Sequence, residues 1–121
     1  MTATRKRRQA VMGTHTVAAL EREKAIFMSR NAERCSHLLV RFEPDEKQRR
    51  LVITAAFTLD ENRIWHQADA VVSADELNRE AGPDRGLIAA FGQLDEGISA
   101  ARIARLFAPL SIAQRLAAGR A

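Results

Sequence analysis

Three consecutive runs of alternating residues, between positions 38 and 72, constrain this chain more than any other feature. In the first, Leu38, Val40 and Phe42 alternate with His37, Leu39 and Arg41. In the second, Leu51, Ile53, Ala55, Phe57 and Leu59 alternate with Val52, Thr54, Ala56 and Thr58. In the third, Ile64, His66, Ala68, Ala70 and Val72 alternate with Trp65, Gln67, Asp69 and Val71. A period of two sends successive side chains to opposite faces of a strand. The connectors Pro44-Asp45-Glu46-Lys47 and Asp60-Glu61-Asn62 are polar and short. Parallel neighbours need a crossover of a dozen or more residues, so these strands predict an antiparallel meander.

Helical spacing flanks the strands. From about 17 to 34, Val17, Leu20, Ala25, Phe27, Met28 and Ala32 fall on one broad face, with Thr14 or Thr16 placed to cap the helix and Ile26 on the polar side. Ser73-Ala74-Asp75-Glu76 has capping-box spacing and predicts a short helix to about Glu80, broken by Gly82-Pro83-Asp84-Arg85-Gly86. Leu87, Phe91, Leu94 and Ile98 then recur at helical spacing. Ser99 is placed to cap a further helix that Pro109 ends or kinks, and Ser111 a last piece stopped by Gly119. The predicted fold class is α+β: an N-terminal helix, a three-stranded antiparallel β-meander and a helical C-terminal third. Residues 1–13 read as a flexible basic arm, and 14–121 as a single α+β domain.

Charge is distributed unevenly. Of 19 basic residues, 16 are Arg, and the net charge is +4. Residues 1–34 carry +5, 35–72 carry −1, 73–97 carry −4, and 98–121 carry four Arg and no acid. Basic ends around an acidic middle suit contact with a polyanion, or pairing of opposite charges between two copies as a homodimer. The arm residues Arg5, Lys6, Arg7 and Arg8, with Arg102, Arg105 and Arg115, are the candidate phosphate contacts to nucleic acid. The stretch Ile98–Leu116 admits two readings: a helix-turn-helix with Gln114 and Arg115 on its second helix, or a helical hairpin that completes the core or a dimer interface. The hairpin is preferred, because the turn lacks a glycine and the second helix is very short.

Trp65 points away from the apolar set of its strand. With Gln67 and Asp69 it forms the candidate protein-binding face of the alternative reading, a regulator or inhibitor of a nucleic-acid-handling complex that acts through the exposed sheet face and the acidic helices of the 75–96 segment. Catalytic signatures are missing. His66 shares the apolar phase of its strand, so it reads as a core histidine rather than a partner for Cys35 and His37. The adjacent acid pairs Asp45/Glu46, Asp60/Glu61 and Asp95/Glu96 fall in turns or on helix surfaces. The expectation is therefore a non-enzymatic binding protein without metal or cofactor. A single cysteine allows no internal disulfide, and no apolar run approaches the roughly 20 residues of a membrane span. Arg5-Lys6-Arg7-Arg8 is followed by Gln9, Gly13, Thr14 and His15 rather than by an apolar stretch, unlike a signal peptide. The expected location is the cytoplasm, with no membrane contact.

Overall fold

The three alternating runs become one antiparallel sheet in the order β1 (His37–Asp45), β2 (Arg50–Thr58), β3 (His66–Ser73). The computed structural model describes the backbone of residues 14–60, 64–79 and 84–120, and the side chains of 16–60, 64–79 and 84–106. β2 is central, and its inward set Leu51, Ile53, Ala55 and Phe57 is almost fully enclosed. The inward residues of β1, Leu38, Val40 and Phe42, are half-buried, as suits an edge strand. β1 runs on through Pro44 and Asp45, paired with Leu51 and Arg50, so the turn is shorter than the sequence implied. Proline is tolerated there because an edge strand need not donate every N–H to a ladder. The turn closes with Gln48 N–H donating to Asp45 Oδ1 at 3.2 Å and with Arg49 at a φ of 50°. The predicted turn at 60–62 lies largely outside the described residues.

Two helices cover the inward face. α1 (Thr14–Arg30) runs alongside α3 (Asp84–Arg120) in the same direction, with Arg22 on Asp84, Arg30 on Asp95 and Arg34 on Ser99. The ring of Phe91 lies 5.2 Å from that of Phe27 and meets Phe42 edge-on at 6.3 Å, joining α3, α1 and β1. The one-turn helix α2 (Ala74–Leu77) starts where Ser73 Oγ accepts from Glu76 N–H at 3.2 Å. It ends at Leu77 rather than near Glu80, because the Asn78 side chain donates to the carbonyl of Ala74 at 2.8 Å and closes the turn.

Two helical expectations are corrected. The inner face of α1 is Thr16, Ala19, Leu20 and Phe27, continued by Asn31; Val17, Ala25 and Ala32 are exposed. Two inner positions are polar, so hydropathy misplaced the face. Thr16 is no cap: it lies in the first turn and its hydroxyl donates to the carbonyl of Leu77 at 3.0 Å. Asn31 Nδ2 donates to the carbonyl of Phe27 at 2.9 Å and to Asp95 Oδ1 at 2.8 Å.

Secondly, the C-terminal third is one helix, not two or three. α3 has 37 residues and passes through Ser99, Pro109 and Ser111 without a turn, so it contains neither a helix-turn-helix nor a hairpin. Ser99 does not act as a cap, because its hydroxyl is taken by Arg34 across the helix pair at 2.5 Å. A helix of this length extends about 55 Å at 1.5 Å per residue, while a nine-residue strand spans about 30 Å. Leu87, Ala90, Phe91, Leu94 and Ile98 are buried, whereas Ile103 and Leu106 are 56% and 66% exposed. α3 therefore leaves the core just beyond Ala101. Where it crosses β3 the approach is close: a Cβ on Gly97 would lie 2.6 Å from the Cβ of Ala68.

Candidate functional site

Where α3 leaves the core, it forms one wall of an open cleft of about 770 Å³. The turn after α1 supplies Glu33 and Arg34, the residue just beyond β2 is Leu59, and α3 supplies Ser99, Arg102, Ile103, Arg105 and Leu106. Arg102 and Arg105, the two predicted phosphate contacts on described side chains, thus share a cleft with Arg34. Arg34 is held by two bonds, to Asn31 Oδ1 at 3.2 Å and Ser99 Oγ at 2.5 Å. Arg105 pairs with Asp60. Arg102 is exposed and makes no ion pair among the described residues. A guanidinium has five N–H donors in a planar fork, so three of them around one cleft match phosphate or carboxylate. Glu33 and Asp60 offset part of that charge.

Sequence reasoning missed Arg34. It stands 68 positions from Arg102 and reads as one more charge at the end of an amphipathic helix; only the parallel packing of α1 and α3 brings the two together. Arg5, Lys6, Arg7 and Arg8 lie outside the described residues. Arg115 belongs to α3, and its side chain lies outside them too. Among residues with described side chains, 12 Lys and Arg stand against 13 Asp and Glu, so the whole basic excess of the chain resides elsewhere. Much of that excess is the arm and the distal part of α3.

The second predicted surface is the outward face of the sheet. Trp65 is 52% exposed, and Gln67 and Asp69 follow it on the same face. Asp69 accepts from Thr54 Oγ1 at 2.9 Å and from Gln67 Nε2 at 3.2 Å. Leu39 and Val71, 62% and 46% exposed, add apolar area. The rings of His37 and Trp65 lie 6.1 Å apart on this side, and His37 Nδ1 is 3.1 Å from Thr58 Oγ1. His66 belongs to the opposite face, stacked on Phe57 at 5.4 Å. The two histidines therefore do not meet in one pocket. Cys35 is buried, and burial raises its thiol pKa above the ordinary value, opposed by the nearby charges of Arg34 and Arg102. A protonated thiol is a poor nucleophile.

Among the described residues, no group of three or more His, Cys, Asp or Glu converges to hold a metal, and no helix is long and apolar enough to cross a membrane. Comparison with protein-family models, with curated proteins and with solved structures finds no match to this chain.

Proposed function

We propose that the chain is a small non-enzymatic binding protein that associates with nucleic acid through its two basic ends. The observation that carries this reading is the placement of charge. The described body is close to neutral, the excess of arginine lies in the N-terminal stretch and the far part of α3, and Arg102, beside Arg34 where that helix departs, makes no ion pair among the described residues. Arg5, Lys6, Arg7, Arg8, Arg102 and Arg115 are the phosphate contacts. Arg105 contributes less, because Asp60 already neutralises it. A cytoplasmic setting fits a chain whose one cysteine is a free buried thiol.

Each phosphate neutralised adds about 0.9 to the slope of log affinity against log salt for duplex DNA. Fluorescence anisotropy with labelled duplex DNA, single-stranded DNA and RNA tests the reading at low and physiological salt. Deleting residues 1–13 should lower the slope by about 3 to 4, and Arg102→Ala by about 1. Absence of binding at low salt, where the electrostatic contribution is largest, refutes it.

The exposure of Trp65 beside Leu39 and Val71 favours a second reading, in which the outward sheet face docks a protein. That contact should survive replacement of Arg5–Arg8 by alanine and fail in Trp65→Ala.

A further inference from the structure

From the arrangement of charge on the outward sheet face, we infer that a second copy of this chain packs there, face to face, about a twofold axis running along β2. The inference rests on the sheet-face reading and is independent of phosphate binding.

The pairing register places Arg41, Thr54 and Asp69 in one row across the three strands, with Arg41 on one edge strand and Asp69 on the other. The rows on either side are Leu39, Ala56, Gln67 and Glu43, Val52, Val71. A twofold axis parallel to the strands lays β1 of one copy over β3 of the other and keeps each row at its own level. Arg41 then faces the partner's Asp69, and symmetry forms the same pair again on the far side. A twofold axis across the strands at the level of this row would instead bring the two Arg41 side chains together on one side and the two Asp69 carboxylates on the other, and one lying between this row and that of Glu43 would set Arg41 against the partner's Glu43 and leave Asp69 against Val71. The first arrangement is the one in which both Arg41 and Asp69 gain an opposite charge, and its dependence on Asp69 separates it from the pairing with Glu43. Arg41 is available, because it is exposed and makes no ion pair among the described residues. Under this symmetry Ala56 and Val52 meet their own copies on the axis, and Trp65 meets the His37 row. Two sheets packed about 10 Å apart with nearly aligned strands are an ordinary sandwich.

Area sets the strength. With the His37 row the rows hold about a dozen outward side chains, roughly 50 Å² each, giving on the order of 1,200 Å² buried in total over the two copies, at the lower limit of stable interfaces. An interface of that size lies at the weak, transient end of the range, so association is sought at micromolar and higher concentrations.

The experiment is sedimentation of the full chain from about 1 to 500 µM, with emission of its single Trp65 recorded alongside. A twofold rise in mass with a blue shift over the same range is expected. Arg41→Asp and Asp69→Arg should each weaken association about tenfold, and the double variant Arg41→Asp/Asp69→Arg should return to within about threefold of the parent. A chain that stays monomeric throughout overturns the self-pairing, and leaves the face to a different protein, which the Trp65→Ala docking test decides separately. Single variants that associate as tightly as the parent, or a double variant weaker than either single, overturn the arrangement.

Discussion

Gly92 and Gly97 stand five residues apart on α3 and should answer the same substitution in opposite ways. A Cβ on Gly92 meets nothing within 4 Å, whereas a Cβ on Gly97 lies 2.6 Å from Ala68 Cβ. Replacing glycine by alanine inside a helix gains about 1 kcal/mol, through propensity and the smaller freedom of the unfolded chain. Gly92→Ala should stabilise by about that amount. Gly97→Ala makes the same gain but must relieve an approach about 1 Å inside ordinary carbon–carbon contact. The obstructing atom is a Cβ fixed to the backbone of β3 and cannot rotate aside, so α3 has to lift from the sheet. Overpacking of this kind costs about 1–3 kcal/mol. The propensity gain cancels between the two variants, so their difference is that packing cost alone. Urea unfolding followed by circular dichroism measures it, provided the m values agree. In melting temperature it amounts to roughly 3–10 °C for a chain of this size. A double-mutant cycle with Ala68→Gly should return a favourable coupling of about 1–3 kcal/mol. Equal stabilisation by both alanine substitutions would refute the close approach of helix and sheet.

Further tests address the junction at the end of α1. Asn31→Ala removes the bonds to the Phe27 carbonyl, Asp95 and Arg34 from a fully buried position and should cost about 1–3 kcal/mol by urea unfolding; an unchanged midpoint would contradict that network. For Cys35 the folded pKa is raised from 9.0 by burial, so above that pH the unfolded chain releases the thiol proton while the folded chain retains it. Stability should therefore fall as pH rises above about 9, and Cys35→Ala should remove that part of the decline. A thiol reagent at neutral pH should react slowly with the native protein and fast in denaturant.

The alternation of 38–42, 51–59 and 66–72 made the sheet legible, including which face of each strand is apolar, because a two-residue period depends on nothing outside the strand. The outward position of Trp65 followed from the same phase. The helices were less legible. Thr16 and Asn31 sit on the inner face of α1 because distant carbonyl and carboxylate groups satisfy them, and no local pattern announces a partner more than 60 residues away. Ser99 and Pro109 carry local signals for a cap and a break, but tertiary contacts outweigh the first, and α3 continues through the second.

The candidate cleft divides in the same way. Arg102 and Arg105 could be named from an acid-free, arginine-bearing stretch of sequence. Their company, Arg34 held against Ser99, and the neutralisation of Arg105 by Asp60 exist only once α1 lies parallel to α3 over the sheet. Local periodicity and charge order by themselves determined the strands, the antiparallel meander and the basic ends. Only the tertiary structure decided where the helices bury, how far α3 runs and which arginines meet, because those outcomes depend on contacts between residues far apart in the chain.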